Sequence, residues 1–180
     1  MYMLHLLMTL FVLSSPADTS ILFDFHTGCD MNAWYIVNDG VMGGLSKGVL
    51  ELNSEGHGSF TGQVRLENYG GFTSIRCATG KIETREGAIV RMRVKGDGKN
   101  YQFRVKHKAR DYQSYITTFS TSGEWEIIEI PLSKLYPSFR GRVLDMPNFN
   151  HSNLTEFTFL IANKKAETFE LLIDFVELVQ

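Results

Sequence analysis

Hydrophobic and polar residues alternate with period two along most of the chain, and no long helical period of apolar positions interrupts them. Strands are predicted over 21–25, 49–52 and 58–66, the last with Phe60, Val64 and Leu66 on one face. Over 88–95, Val90, Met92 and Val94 point one way and Arg91, Arg93 and Lys95 the other. Gly96-Asp97-Gly98-Lys99 reads as a hairpin turn, after which Tyr101, Phe103 and Val105 face inward. Residues 114–120 and 125–131 are expected to pair across Thr121-Ser122-Gly123. The run Trp125 to Ile130 is apolar on both parities, as in a central strand or one carrying a bulge. Alternation stops from Leu132 to Ser152, where 135–142 reads as a long aromatic-rich loop. Phe157, Phe159 and Ile161, then Phe169, Leu171, Ile173 and Phe175, mark two closing strands. About ten short strands separated by regular turn signals predict an all-β sandwich. No linker or repeat is visible, so 18–180 reads as a single domain.

Composition supports a packed core, with 43% hydrophobic and 12% aromatic residues. A formal charge of −2 gives no global attraction to nucleic acid. Before residue 18 lies an apolar run, 4–13, followed by small residues in Ser15-Pro16-Ala17. Residues 1–17 thus match a signal peptide, too short to span a membrane, and export to the periplasm or outside is expected. The mature chain would then carry no transmembrane segment. The same run is alternatively a buried N-terminal strand. Mitochondrial targeting is not expected, because the first Lys or Arg is Lys47 and transit peptides are Arg-rich. Cys29 and Cys77 either form a disulfide in an oxidising compartment or remain two separate thiols.

The stretch from Trp34 to Gly48 is the least ordinary part of the chain. A short strand-like run meets Asn38, Asp39, Gly40, Val41, Met42, Gly43, Gly44 and Ser46, so glycines impose a tight, irregular path. A second glycine-punctuated stretch holds Gly70, Gly71, Phe72, Ser74 and Arg76, and the two are expected to meet, with Arg76 an ion-pair mate for Asp39. The enzyme patterns fail. Ser46 matches Gly-x-Ser-x-Gly, but a nucleophile elbow needs a strand-to-helix turn that this chain does not predict. The five histidines are scattered without ligand spacing, so no metal or other cofactor is expected. If 88–95 and 101–110 pair as a hairpin, Arg91, Arg93, Lys95, Arg104, Lys106 and Lys108 share one exposed face, either a docking patch or a solvated sheet surface.

Trp34-x-x-Val37-Asn38-Asp39-Gly40-Val41-Met42-Gly43-Gly44-x-Ser46-x-Gly48 resembles the signature of the complex I intermediate-associated protein 30 family. Later blocks follow in order: Phe60 to Leu66 with Glu67-Asn68-x-Gly70-Gly71-Phe72-x-Ser74-Ile75-Arg76, then Gly96-Asp97-Gly98-x-x-Tyr101-x-Phe103. Trp125 to Pro131 with Phe139-Arg140-Gly141, and Phe169-x-Leu171-x-Ile173-Asp174, complete the match. The resemblance implies a galactose-binding-like jelly-roll sandwich and a non-enzymatic role as an assembly factor or chaperone of respiratory complex I. The expected partner is a protein, such as a respiratory complex assembly intermediate, and the expected surface is built from loops. Its candidate residues are Trp34, Asn38, Asp39, Val41, Met42, Gly43, Gly44, Ser46, Gly71, Phe72, Ser74, Arg76, Tyr136, Phe139 and Arg140, with Tyr69 among the apolar loop residues. The alternative is an exported carbohydrate-binding module, with Trp34 or Tyr136 stacked on a sugar while Asn38, Asp39 and Arg76 bind hydroxyls.

Overall fold

The computed structural model describes residues 18–180 and, at Val41 and Met42, the backbone alone. Its strands in chain order are β1 (Thr19–Asp24), β2 (Trp34–Asn38), β3 (Lys47–Leu52), β4 (Gly58–Val64), β5 (Thr73–Glu83), β6 (Ile89–Gly96) and β7 (Asn100–Lys106). They continue with β8 (Ser114–Ser120), β9 (Glu126–Pro131), β10 (Tyr136–Phe139), β11 (Arg142–Val143), β12 (Asn153–Ile161) and β13 (Glu167–Val179). A six-stranded sheet runs β3-β4-β13-β6-β9, with β1 joined to β13 beyond the end of β4. A seven-stranded sheet runs β11-β10-β8-β7-β12-β5-β2. The two pack as a jelly-roll β-sandwich, which is the predicted class.

Alternation builds the core as predicted. Phe60, Val90, Met92, Val94, Leu171 and Ile173 of the first sheet meet Ile75, Phe103, Phe157 and Phe159 of the second, all fully buried. Parity then changes inside β13. Its register shifts between Ile173 and Phe175, where β1 replaces β4 as the neighbour, so Val176 and Leu178 take the inward positions and Phe175 does not. Leu66 lies past the end of β4 and is exposed, not inward as its spacing suggested.

Three strands exceed the expected count. β5 was hidden by polar and glycine positions, yet it is bonded on both sides, to β12 and β2. β10 and β11 lie in what read as a continuous loop.

Both expected hairpins are corners instead. β6 pairs with β13 and β9, whereas β7 pairs with β12 and β8, so Gly96 to Lys99 carries the chain between sheets. The Asp97 carboxylate holds that corner, accepting from Tyr101 Oη at 2.8 Å and Glu170 N at 3.1 Å and pairing with Lys99. Residues 121–125 likewise pass from β8 to β9 in the other sheet. β9 is an edge strand, neither central nor bulged, which leaves Ile127 half exposed.

Candidate functional site

Asp39 opens a short 3-10 turn directly after β2 and is only 3% exposed. Its Oδ1 accepts the Ser46 N–H at 3.0 Å. Its Oδ2 accepts Ser46 Oγ at 2.5 Å, Gly71 N at 2.7 Å and Phe72 N at 3.3 Å. Burial alone pushes this carboxyl up, but the Ser46 hydroxyl and the Gly71, Phe72 and Ser46 amides outweigh it and hold the group below the ordinary carboxylate range. The two glycine-rich stretches therefore do meet, and a buried carboxylate joins them.

The surrounding motif follows from that carboxylate. A Cβ at Gly44 would collide with the Asp39 side chain, and one at Gly70 would stand 2.7 Å from Asp39 Oδ2 and 2.8 Å from the Arg65 carbonyl. Asn38 makes a second tie, its Oδ1 accepting Gly48 N at 3.2 Å and Thr73 Oγ1 at 2.5 Å. Asn68 Nδ2 donates to the Gly43 carbonyl at 3.0 Å, and Ser74 Oγ donates to the Val37 carbonyl at 3.0 Å.

The other candidate residues lie elsewhere. Trp34 faces the core, with its ring 5.3 Å from Phe157 and 5.2 Å from both Phe23 and Phe25, so it is not part of a loop surface. Arg76 does not pair with Asp39. It projects from the outer face of β5 toward Glu156, 3.8 Å away, because Arg76 sits opposite Thr158 on β12. Tyr136, Phe139 and Arg140 belong to β10 and its turn, at the far side of the sheet from β2. There Phe139 packs edge-on to Tyr112, with the Arg140 guanidinium 5.2 Å from its ring. The side chains of Val41 and Met42 lie outside what is described. Cys29 and Cys77 are free thiols, Cys77 buried and Cys29 3.8 Å from the Met31 sulfur. Among the described residues no cluster of three or more His, Cys, Asp or Glu is arranged to hold a metal, and no helix is long and apolar enough to cross a membrane.

The single basic face does not exist, because its strands lie in opposite sheets. On the six-stranded sheet Arg91 pairs with Glu129 at 2.8 Å and Glu177 at 3.0 Å, and Arg93 pairs with Asp174 at 2.6 Å and lies over Trp125. On the seven-stranded sheet a group escaped notice: Tyr35, Arg76, Arg104 and Glu156 share the outer face. Tyr35 Oη donates to Glu156 Oε2 at 2.5 Å, and burial with the Glu156 charge pushes the phenol up to about 12. The signal was present in the sequence, since Glu156 and Thr158 have the opposite parity to Phe157 and Phe159.

Two sheets, antiparallel pairing and corner crossovers define a galactose-binding-like jelly-roll domain. The family model described as complex I intermediate-associated protein 30 matches residues 23–173, and the chain belongs to that family. It is 30% identical to "Complex I intermediate-associated protein 30, mitochondrial" of Drosophila melanogaster, over 91% of this chain and 64% of that protein. The Mus musculus protein of the same name is 23% identical, over 87% of this chain and 55% of its own length. The chain thus spans about three-fifths of the length of the curated relatives it matches. Among solved structures, a family 11 carbohydrate-binding module from Clostridium thermocellum in complex with a mixed-linked tetrasaccharide superposes with a TM-score of 0.67. That pair is 16% identical, covering 92% of this chain and 97% of the module. A family 29 carbohydrate-binding module gives 0.55 at 13% identity, covering 91% of each chain. At such identity the likeness is one of fold.

Both relatives are named as mitochondrial, which overturns the expectation of export and of no mitochondrial targeting. The export reading rested on apolarity and small residues in 1–17, without the Lys or Arg that a signal's first segment carries. Residues 1–17 lie outside those described.

Proposed function

We propose that residues 18–180 form one non-enzymatic binding module of the assembly-factor type, which contacts a protein intermediate of respiratory complex I through the loops tied by Asp39. Family membership supplies the context, and one observation carries the site. Tyr69 is 93% exposed, at a left-handed φ of 60°, next to Asn68 at 55°. Such backbone costs about 1–3 kcal/mol per residue outside glycine and persists only where the surroundings hold it. Here Asn68 is fixed by Gly43, and the Gly71 and Phe72 amides by Asp39. The loop therefore presents an aromatic ring to solvent on a rigid base, with exposed Leu66 and Leu45 as further apolar side chains of the two joined stretches.

The test is native-gel electrophoresis of mitochondrial membranes from the source organism, using the tagged chain. Co-migration with a complex I assembly intermediate supports the reading, and migration as a free protein at every stage of assembly refutes it.

A second reading, a glycan-binding module, draws on Tyr35 and Tyr136 standing on one outer sheet face. Two of its original contacts are absent: Trp34 is turned into the core, and the Asp39 oxygens are occupied by protein donors. A glycan array without binding at high protein concentration would dispose of it.

A further inference from the structure

The outer face of the seven-stranded sheet carries one continuous rung. Tyr35 on β2 stands opposite Arg76 on β5, Arg76 opposite Thr158 on β12, and Thr158 opposite Arg104 on β7. Arg104 stands opposite Ile116 on β8, and Ile116 opposite Tyr136 on β10. Five strand spacings at about 4.8 Å make this row about 24 Å long, with an aromatic at each end and two guanidiniums between.

The two arginines are under-neutralised. Arg104 donates through Nε at 3.1 Å and Nη2 at 2.5 Å to Gln102 Oε1, a neutral acceptor, and no carboxylate reaches it among the described residues. Burial and the neighbouring Arg76 charge push Arg104 down to about 10. Among the described residues the one ion-pair contact of Arg76 is Glu156 at 3.8 Å, and the Arg76 Nε is buried without a hydrogen-bond partner. Glu156 itself is already engaged by Tyr35. Lys106 adds a third cation on the same parity, donating to the Asp111 carbonyl at 2.7 Å. The opposite sheet differs, because Arg91 and Arg93 each have carboxylate partners within 3.0 Å. A desolvated cation without a counter-charge is costly unless an anion completes it. The rung reaches solvent, with Tyr35 43% exposed and the Arg76 side chain 25%.

We propose that this rung is a docking surface for an extended acidic segment of a protein partner, whose carboxylates are taken by Arg76 and Arg104 while Tyr35 and Tyr136 flank them. The assignment rests on the protein-binding reading above and gives it a second contact surface, apart from the Tyr69 loop. Acidic side chains at alternate positions of an extended segment lie about 6.8 Å apart on one side, within reach of two long guanidinium arms on strands two spacings apart. Arginine forks favour bidentate carboxylate contacts.

The test is fluorescence anisotropy of the full chain with labelled poly-glutamate of about twenty residues, against polygalacturonate and a neutral cello-oligosaccharide. Poly-glutamate is expected to bind, with affinity falling as salt rises, because salt screens the approach of the anionic chain to the two guanidiniums. Arg104→Gln and Arg76→Gln should each weaken binding at least tenfold, while Arg91→Gln on the other sheet changes it less than twofold. Arg104→Gln should melt no lower than the parent chain, since it removes an uncompensated charge, so weakened binding would not reflect unfolding. Tighter binding of polygalacturonate or the neutral glycan than of poly-glutamate, or equal losses from Arg91→Gln, would overturn the proposal. If Arg76→Gln,Arg104→Gln still co-migrates fully with a complex I intermediate, this surface fails and the protein-binding reading stands. If the parent chain does not co-migrate, that reading itself fails.

Discussion

The Ser46 hydroxyl sits between the Asp39 carboxylate and the backbone of Arg65, donating to the first at 2.5 Å and accepting the Arg65 N–H at 2.9 Å. One small side chain thereby ties the loop after β2 to the segment after β4. These are the two stretches whose glycines set them apart in the sequence.

Asp39→Asn keeps the shape but turns an amide NH2 toward N–H donors. The expected loss is about 2–3 kcal/mol in urea unfolding, the scale for hydrogen bonds to a buried charge. Ser46→Ala should lose about 1.5–3 kcal/mol, since its hydroxyl donates to the charged carboxylate and accepts the Arg65 N–H. A stability for Asp39→Asn within about 0.5 kcal/mol of the parent, the scatter of ordinary surface changes, would show that the hub does not hold the loops.

Gly44→Val tests the same hub by volume. Its Cβ would strike Asp39, so either the carboxylate or the loop must move. Overpacking of this kind costs about 1–3 kcal/mol, and a broader or lower thermal transition is expected. An unchanged transition would make the loop a simple connector.

The legible parts of the chain were those where one side of a strand is apolar. Val90, Met92 and Val94, or Phe157 and Phe159, fixed the inward parity without any knowledge of neighbours. Pairing was not legible, because a Gly-Asp-Gly turn joins strands within a sheet or across two sheets equally well. The strand partners, β13 and β9 for β6 but β12 and β8 for β7, show which, and Glu170 donating to Asp97 from distant sequence holds the corner. β5 escaped because Thr73, Ser74 and Arg76 are polar, although Ser74 is fully buried and bonds the Val37 carbonyl while Arg76 stands on the outer sheet face. The meeting of the two glycine stretches was readable, but the identity of the partner was not. A buried carboxylate can be satisfied by amides as well as by a guanidinium, and here the amides prevail.

His151 gives the fold a pH dependence. Burial, the stacked His107 ring 4.1 Å away and Lys108 lower its pKa, with Asp111 opposing them. The unfolded chain, with an ordinary histidine near 6.5, binds this proton more readily than the folded one. Stability is thus fully present above about 6.5 and declines as pH falls from there toward the lower folded value. The melting temperature should fall between pH 7.5 and 5.5, and His151→Gln should reduce that fall. An identical pH dependence in the variant would assign it to other groups.

The thiols should differ in reactivity. Burial, with the Glu156 charge, pushes the Cys77 thiol up to about 12, which leaves little thiolate at neutral pH. Iodoacetamide on the native protein should label Cys29 first and Cys77 only on unfolding. Equal native rates, read by peptide mass spectrometry, would contradict its buried placement.

The most direct measurement compares the parent chain with Tyr69→Ser in the native-gel assay of mitochondrial membranes. Tyr69 is nearly fully exposed, so the variant should keep the parent's stability within about 0.5 kcal/mol. The account predicts that the complex I intermediate band containing the chain falls at least severalfold in the variant. A band of parental intensity would contradict the claim that the loop tied by Asp39 is the binding surface.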